Sequence, residues 1–344
     1  DLFLQEGLQK YNFKSKISVP ELKKKVSINK KYFTKHKSLL LWTAPYVFLP
    51  TEIIELLAKY FSIIFAYSAT KEYIKDILPD VSVWVVSTNP KYLINNDFFK
   101  LSKKLNIIAT PSTGTNHIDR KILKEYPIKL LSIKDTLSLE QISASSEHTL
   151  SIMLALIKKI KLSSTQAEYG IWRENENIFR SNELQGKTIG IIGFGRIGRR
   201  IIKYARALDL KILVYDPYKK ITLKGVIQVE DRKELIKGSD IVTIHYHLNE
   251  KTKNSFTKYD FELMKEGSFF INTSRGEIID ENALLWALSN QRISGAALDV
   301  IYDEHKPLKY NNHLIKYARD NENLLITPHV AGLTYESETK AATE

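Results

Sequence analysis

Apolar runs and segments of helical periodicity alternate through the first half of the chain. Buried strands are predicted over 38–42, 62–66, 81–86 and 106–110. Helices are predicted between them, over 51–60, 72–77 and 97–104. Because short strands separated by helices are typical of parallel sheets, this pattern predicts an α/β domain.

The alternation pauses and then resumes in the second half. A longer helix is predicted over 145–160, and it gives way to a polar stretch around 175–177. A new series of strands and helices runs from Thr188 to about Pro328. The pattern therefore predicts two α/β domains, over 37–145 and 146–330, with a polar and basic extension over 1–36 before them.

Composition narrows the class of protein without changing this picture. The 344 residues are 43% hydrophobic and 26% charged, which is ordinary for a globular protein long enough to form two domains. The chain has no cysteine, so disulfides, thiolate catalysis and cysteine-ligated metals are excluded, and no metal site is predicted. No apolar run reaches about 18 residues, and Phe3-Leu4 is too short for the core of a signal peptide. We expect no membrane partner and a cytoplasmic location.

The net charge of +12 brings nucleic acid into consideration as a partner. The lysines are dispersed, however, and the densest run, Lys23 to Lys35, lacks the regularly interleaved aromatic residues of a stacking platform. A nucleic-acid-binding role for residues 1–36 would show a steep loss of binding with added salt. Nucleic-acid binding by residues 1–36 is kept as an alternative, and we expect no nucleic-acid partner.

The strongest local motif is glycine-rich and reads Gly193-Phe194-Gly195-Arg196-Ile197-Gly198. It follows a predicted strand over 188–192 and opens a predicted helix over 197–208. In this context the first glycine permits a tight turn, the second lets the backbone approach a pyrophosphate, and the third lets the helix pack close to the strand. The helix N-terminus adds free N–H groups and the positive end of its dipole. The motif predicts a dinucleotide-binding site.

Asp216 ends the next predicted strand, about 20 residues beyond the motif, as dinucleotide-binding domains require. Its carboxylate accepts hydrogen bonds from ribose hydroxyls and repels a 2′-phosphate, so the predicted cofactor is NAD. Pro217 is included in this site, and Lys219 and Lys220 leave some use of NADP open.

Three charged residues follow predicted strands in the second domain. They are Arg275 after 268–271, Glu304 five residues beyond Asp299, and His329 after 324–327. Open α/β sheets bind ligands at the carboxyl ends of their strands, so we expect the three side chains to converge. An arginine fork binds a carboxylate, a histidine exchanges a proton near neutral pH, and a neighbouring carboxylate orients the histidine and favours its protonated form. This set is suited to the reduction of a 2-oxo acid.

Further motifs occur in an order and spacing that one family shares. They lie at 112–119, 146–149, 184–187, 272–276, 298–300 and 327–329. On these motifs the chain resembles the D-isomer-specific 2-hydroxyacid dehydrogenase family from roughly Leu39 to Gly332. The loop Ser112-Thr113-Gly114-Thr115-Asn116-His117-Ile118-Asp119 is similar to that of D-3-phosphoglycerate dehydrogenases. Hydroxypyruvate and glyoxylate reductases are the other similar members.

The resemblance implies a flavodoxin-like substrate domain and a Rossmann NAD-binding domain, both doubly wound, with a cleft between them. It implies hydride transfer between NAD(H) and a small D-2-hydroxy or 2-oxo acid, and a homodimer built on the NAD-binding domains. It also implies that residues 331–344 begin a segment that returns to the first domain and is cut short at Glu344.

The resemblance also assigns roles. Arg275 would bind the carboxylate and oxo group of the substrate, His329 would be the general acid/base, and Glu304 would be its partner. The residues lining the nicotinamide and ribose side of the cofactor would be His245, Thr273, Ser274, Arg275, Asp299, His329 and Gly332. The residues facing the substrate from the first domain would be Ser87, Thr88 and Asn116.

Two departures from the family pattern bear on the substrate and on loop geometry. The segment His245-Tyr246-His247-Leu248-Asn249 lacks the usual proline after its first histidine. The loop 87–91 has no arginine to hold a phosphate, and its only cation is Lys91. This composition argues against phosphoglycerate as the substrate. D-3-phosphoglycerate dehydrogenase proper and a non-enzymatic NAD(H)-sensing protein of the same family stay as alternatives.

Overall fold

The computed structural model describes residues 32–34, 37–46, 49–67, 69–88, 90, 92–135, 137–304 and 311–344. By its internal contacts the chain forms two compact units, Asp1–Asp135 with Ala342–Glu344, and Thr136–Ala341. The predicted extension over 1–36 lies almost entirely outside the described residues. The predicted domain boundaries stay predictions.

The first unit contains a five-stranded parallel sheet in the order β2-β1-β3-β4-β5. Its strands are β1 (Ser38–Trp42), β2 (Phe61–Phe65), β3 (Val81–Val85), β4 (Ile107–Thr110) and β5 (Lys129–Ser132). Its helices are α1 (Thr51–Ala58), α2 (Lys71–Ile77), α3 (Asn96–Phe99) and α4 (Arg120–Leu123). This strand order is the flavodoxin-like one that the resemblance implied.

Both faces of the first sheet are covered, which explains why its central strands are continuously apolar. In β1, Leu41 packs into the core on one face with Trp84, while Trp42 packs into the core on the other face with Phe65. Parallel strands buried on both faces read as uninterrupted hydrophobic runs, and the sequence of β1 is such a run.

Two predicted helices differ from the observed ones. The helix predicted over 97–104 is the single turn of α3, and Ser102 donates its hydroxyl to the carbonyl of Phe98 just beyond the end of that turn. The helix predicted over 145–160 ends at Ile157, because Lys159 adopts a left-handed φ of 52°. A second helix begins immediately after that residue.

The second unit contains a seven-stranded parallel sheet in the order β12-β11-β10-β9-β6-β7-β8. Its strands are β6 (Thr188–Ile192), β7 (Lys211–Tyr215), β8 (Ile227–Gln228), β9 (Ile241–Ile244), β10 (Phe269–Asn272), β11 (Gly295–Leu298) and β12 (Leu324–Ile326). The chain order reverses between β6 and β9. In an open α/β sheet, ligands bind where the order reverses, at the carboxyl ends of the strands.

Helices cover both faces of the second sheet. The helices that follow residue 136 along the chain are α5 (Ala144–Ile157), α6 (Ile160–Glu168), α7 (Glu176–Phe179), α8 (Arg196–Ala207), α9 (Arg232–Gly238), α10 (Lys258–Leu263), α11 (Glu281–Ser289), α12 (His313–Asp320) and α13 (Tyr335–Thr343), the last of which ends in the first unit. One core, around Phe256, Phe261 and Phe270, lies on one face, and a second, around Ile191 and Ile271, lies on the other. Within the described part of the chain, no helix has the length and apolar character needed to cross a membrane.

Candidate active site

The glycine-rich loop leaves β6 at the point where the strand order reverses. The backbone N–H of His245, after β9, donates to the carbonyl of Ile192 at 2.7 Å. Gly193 has a φ of +105°, and a Cβ placed there would lie 2.6 Å from the carbonyl oxygen of His245. A Cβ at Gly198 would lie 2.1 Å from the carbonyl oxygen of Gly193. Side chains are therefore excluded at both positions by backbone, as the motif predicted.

Gly195 differs from the other two glycines, because its surroundings are open. The nearest atom to a Cβ built there is the carbonyl oxygen of His245, at 4.0 Å. Gly195 immediately precedes the first residue of α8, so the space beside it lies at the N-terminus of a twelve-residue helix. Open space at that point is what the close approach of a phosphate group requires.

Asp216 lies beside this loop and is fixed by backbone hydrogen bonds. Its Oδ2 accepts from the N–H of Phe194 at 2.8 Å, and its Oδ1 accepts from the N–H of Tyr218 at 2.9 Å. Lys219 donates its Nζ to the carbonyl of Phe194 at 3.2 Å. The carboxylate is thus held against the glycine-rich loop, and Pro217 between these residues is exposed.

The ring of His245 contains an enclosed polar atom. Its Nε2 lies 2.9 Å from the hydroxyl of Thr243, while its Nδ1 is buried without a hydrogen-bond partner among the described residues. Burial lowers the pKa of His245 to about 3, so the ring is neutral at physiological pH. A buried ring nitrogen without a partner carries a free-energy cost, which a polar group of a bound cofactor would relieve.

Two other residues of the motif contact protein groups. The guanidinium of Arg196 donates to the carbonyl of Ile142, just before α5, and burial lowers the pKa of this arginine. Ile197 packs against the core between α8 and the sheet. Their predicted contacts with the cofactor stay predictions.

The loop after β10 carries Arg275 and is shaped by the buried amide of Asn272. The Nδ2 of Asn272 donates to the carbonyl of Arg275 at 3.0 Å, and its Oδ1 accepts from the N–H of Ser274 at 2.9 Å. Ser274 donates its hydroxyl to the carbonyl of Ile244, and the hydroxyl of Thr273 lies 2.7 Å from that of Thr149. The half-buried Arg275 side chain therefore projects from a turn that is bonded on several sides.

Glu304 and His329 form a close pair across two neighbouring loops. Glu304 follows β11, His329 follows β12, and Nδ1 of the histidine lies 2.6 Å from Oε1 of the glutamate. The side chain of Glu304 is 14% exposed and that of His329 is 35% exposed. The carboxylate thus holds one ring nitrogen, and the histidine remains accessible to a ligand.

The loops of Arg275 and Glu304 also pack against each other. A Cβ built on Gly276 would lie 2.0 Å from the carbonyl carbon of Ile301 and 2.4 Å from the N–H nitrogen of Tyr302. Only glycine fits where the two loops cross. Since β10, β11 and β12 are neighbours in the sheet, the three predicted catalytic residues lie on adjacent loops at one sheet edge.

Several residues that shape this site have no role predicted from the sequence. Asn272, His148 and Glu281 hold the loops of the three predicted catalytic residues, and each lies on a different element. His148 lay within a recognised motif, but its spacing along the chain gave no signal of the loop it reaches.

The remaining predicted residues are placed as follows. Asp299 directly follows β11 with its side chain fully buried, and Gly332 is exposed beyond His329. Ser87 and the exposed Thr88 follow β3, and Asn116 lies in the loop after β4. All three belong to the first unit. Lys91 lies outside the described residues. The contacts of Ser87, Thr88 and Asn116 with a substrate stay predictions.

Together, the doubly wound second sheet, the glycine-rich loop at its reversal point and the fixed Asp216 define a dinucleotide-binding class of α/β protein. Residues 150–331 match the family model described as "D-isomer specific 2-hydroxyacid dehydrogenase, NAD binding domain". The chain belongs to that family of NAD-dependent dehydrogenases.

Known proteins of the family are similar over most of this chain. A D-3-phosphoglycerate dehydrogenase of Methanocaldococcus jannaschii is 34% identical over 281 residues, which are 81% of this chain and 51% of that protein. The chain thus spans about half the length of that relative. A hydroxypyruvate reductase of Thermotoga maritima is 32% identical over 274 residues, 80% of this chain and 85% of that protein.

A solved structure supports the same assignment. The D-lactate dehydrogenase of Aquifex aeolicus, complexed with NAD and lactic acid, superimposes with a TM-score of 0.74 at 27% identity. The match covers 89% of this chain and 92% of that one. The predictions of family, of two parallel-sheet domains and of NAD as cofactor are confirmed.

Proposed function

We propose that this protein catalyses reversible hydride transfer between NAD(H) and a small D-2-hydroxy or 2-oxo acid, with Arg275, Glu304 and His329 as its catalytic residues. The observation that carries the proposal is the 2.6 Å contact between His329 and Glu304 on the loop next to that of Arg275. A cation and a paired histidine on adjacent loops are what the reduction of a 2-oxo acid requires of a protein.

Arg275 is proposed to bind and orient the acid. Its guanidinium donates to the carbonyl of Ser274 through Nη1, which fixes the start of the fork while other N–H groups remain for a carboxylate. An arginine fork binds a carboxylate through two parallel hydrogen bonds and so sets the position of the neighbouring oxo carbon.

His329 is proposed to exchange the proton. Because Nδ1 lies against Glu304, Nε2 is the nitrogen that donates to the oxo oxygen during reduction and accepts the hydroxyl proton during oxidation. Glu304 fixes the ring orientation and stabilises the imidazolium that oxidation produces. A bound nicotinamide supplies or accepts the hydride at the carbon that bears this oxygen.

The residues that would hold the cofactor are those at the reversal point of the sheet. The N-terminal end of α8 and the open backbone at Gly195 suit a pyrophosphate, and Asp216 suits the ribose hydroxyls of NAD. His245 adds a neutral ring with one unpartnered nitrogen. Among these features, the Asp216 carboxylate supports NAD rather than NADP, because it repels a 2′-phosphate.

The proposed substrate is a small 2-oxo acid of the size seen among the relatives. Those relatives are named for phosphoglycerate, hydroxypyruvate and lactate, all of which share a carboxylate beside the reacting carbon. The sequence of the loop 87–91, which has no arginine, favours an acid without a phosphate.

The test is oxidation of NADH and NADPH by a panel that includes glyoxylate, hydroxypyruvate, pyruvate, branched and aromatic 2-oxo acids, and phosphohydroxypyruvate. We expect turnover of at least one acid with NADH. A His329→Gln variant should lose about 10²–10⁴-fold in turnover while binding NADH normally, since a general acid contributes that much. Tight NADH binding without turnover of any acid would contradict the proposal and favour a non-enzymatic NAD(H)-sensing protein.

The same proposal includes a homodimer built on the NAD-binding units. Supporting it, residues 167–178 of the second unit are all exposed, and α6 and α7 contribute no buried residue. Tyr169 is 78% exposed and Trp172 is 65% exposed. Aromatic side chains on elements without a core of their own are typical of surfaces buried between subunits.

Analytical ultracentrifugation tests the dimer. We expect wild type to sediment as a dimer and a Trp172→Ser, Ile178→Ser variant to sediment as a monomer. Tyr60→Ser, an equally exposed site in the first unit, is the matched control and should leave the mass unchanged. If the double variant still sediments as a dimer, this surface is not part of the interface. The cytoplasmic location stays a prediction, which fractionation of cells would test.

A further inference from the structure

Asp299 lies beneath the turn that carries His329. Its Oδ1 accepts from the hydroxyl of Thr327 at 2.5 Å and from the N–H of Val330 at 2.9 Å, and its Oδ2 accepts from the N–H of Ala331 at 2.9 Å. These three donors flank His329 on both sides along the chain. One carboxylate, fully buried, therefore fixes the turn from both ends.

The turn needs such support because of its backbone conformation. His329 has a φ of +57°, in the left-handed region that residues with a Cβ adopt at a cost. Left-handed residues persist where the surrounding structure over-determines them. The bonds from Val330 and Ala331 to Asp299 are the constraints that immediately follow the left-handed residue.

His148, on α5, reaches the same carboxylate from a distant part of the chain. Its Nε2 lies 3.3 Å from Oδ1 of Asp299 and 3.0 Å from the hydroxyl oxygen of Thr327. The side chain of His148 is 21% exposed, and α5 packs against β11, the strand that ends at Asp299. No step of the proposed mechanism uses this histidine.

Counting protons fixes the direction of these hydrogen bonds. Thr327 has one hydroxyl proton, and its shortest contact gives that proton to Asp299. The threonine oxygen can then only accept from His148, so Nε2 of His148 carries a proton and donates toward Thr327 and Asp299. His148 thus completes the donor set around a buried carboxylate.

The charge state of Asp299 agrees with this count. Burial alone would raise its pKa, but hydrogen bonds from His148, Thr327, Val330 and Ala331 outweigh burial and lower the pKa below its usual value. The carboxylate is therefore ionised and can accept from all four donors at once. Loss of His148 leaves the buried anion less satisfied and removes the contact that fixes it from the side of α5, so the carboxylate is free to shift away from the two amides that it holds.

We propose that His148 is a positioning residue for His329: by donating to Asp299 and Thr327 it holds the left-handed turn on which His329 meets Glu304. One consequence, that turnover depends on His148, rests on the proposed function. The effect on the turn itself is independent of any reaction.

Three variants separate hydrogen bonding from space filling. His148→Leu removes the donor, and His148→Asn keeps a polar group on a side chain too short to replace Nε2. His148→Gln places an amide N–H near the position of Nε2. Ser151→Ala, an exposed site on the same helix that bonds only within α5, is the matched control.

The first measurement is amide hydrogen exchange at Val330 and Ala331. We expect exchange about tenfold faster or more in the Leu and Asn variants, because the two amides lose a firmly held acceptor. The Gln variant and Ser151→Ala should exchange as wild type does. If His148→Leu does not fold, His148→Asn carries the test. Unchanged exchange at both amides in the Leu or Asn variant would overturn the inference whatever the activity.

The second measurement is steady-state kinetics on the 2-oxo acid that wild type reduces. We expect kcat to fall about tenfold or more in the Leu and Asn variants, since a misplaced proton donor costs at least that much, with KM nearly unchanged and kcat restored by Gln. Faster exchange with unchanged kcat would overturn the positioning role. Absence of turnover in wild type would instead count against the proposed function, and the exchange result would still decide the role of His148 in the turn.

Discussion

At the scale of single residues, the proposed chemistry depends most on Arg275, whose loop is bonded by Asn272 and whose guanidinium is half-buried. Truncation to Ala leaves the substrate carboxylate without its partner. We expect Arg275→Ala to lower kcat/KM for the oxo acid by about 10²–10³-fold, since losing a charged partner in a shielded site costs several kcal/mol. Affinity for NADH, measured by fluorescence titration, should stay near that of wild type.

Arg275→Lys keeps the charge without the fork and should recover little of this loss. Arg206→Ala changes an exposed arginine in the last turn of α8, at the opposite end of that helix from the glycine-rich loop, and serves as the control. Unchanged turnover in Arg275→Ala would place the carboxylate elsewhere.

Asp216 governs the choice of cofactor at the same scale. Because its two oxygens accept from the N–H groups of Phe194 and Tyr218, truncation to Ala would loosen the glycine-rich loop as well as remove a charge. Asp216→Asn keeps the size of the side chain and one of its two acceptor oxygens, and it removes the charge that repels a 2′-phosphate. We expect the ratio of kcat/KM for NADH to that for NADPH to fall about tenfold in this variant. An equal loss with both cofactors would contradict the role given to Asp216.

At the scale of elements, the start of α11 supports the loop of Glu304. Glu281, at the first position of this helix, accepts from the N–H of Tyr302 at 2.6 Å and is 7% exposed. Burial raises the pKa of Glu281, an effect only partly offset by the hydrogen bond from Tyr302 and by the nearby His313. The folded state therefore binds a proton at Glu281 more readily than the unfolded chain does.

A raised pKa in the folded state fixes the sign of the pH dependence. The stability contributed by protonated Glu281 is fully present below its unfolded pKa and is lost as pH rises through its folded pKa. Glu281→Gln keeps an acceptor for Tyr302 and carries no charge. We expect its Tm to exceed that of wild type by a margin that grows from about pH 4 to pH 7, whereas the exposed Glu266→Gln should show no such trend. A margin that shrinks with rising pH would mean that the ionised carboxylate stabilises the fold.

Elements also show what the sequence could and could not reveal. The strands β1, β6 and β7 were predicted with the bounds that the structure shows, because strands buried on both faces leave continuous apolar runs. The predicted end of α5 was wrong, because the helix is interrupted by Lys159 in a left-handed conformation rather than by a glycine or proline. Local sequence carries no reliable signal for such a residue.

The same limit applies to the candidate site. Its glycine-rich loop was predictable, because excluding a Cβ at Gly193 and Gly198 leaves only one residue type. The link from His148 to Asp299 was not predictable, since it joins side chains 151 positions apart through a turn whose shape no spacing encodes. The glycine-rich loop is marked by a local motif, whereas the contact between His148 and Asp299 depends on how distant parts of the chain fold together.

At the scale of the whole molecule, each unit has its own hydrophobic cores, and the cofactor residues all belong to the second unit. A ligand stabilises only the body that binds it, by about 2.7 kcal/mol at a concentration one hundred times its Kd. Because each kcal/mol shifts the melting temperature of a unit of this size by about 2–4 °C, we expect NAD⁺ to raise that of the second unit by about 5–11 °C and to leave that of the first unit nearly unchanged.

The four tryptophans allow the two units to be observed separately. Trp42 and Trp84 are buried in the first unit, and Trp172 and Trp286 lie in the second. In a Trp172→Phe, Trp286→Phe variant, fluorescence reports the first unit alone, while circular dichroism reports both. A shift with NAD⁺ in dichroism but not in fluorescence would show that the units unfold independently. Equal shifts in both signals would mean that the two cores melt as one cooperative body, so that cofactor binding stabilises the whole chain.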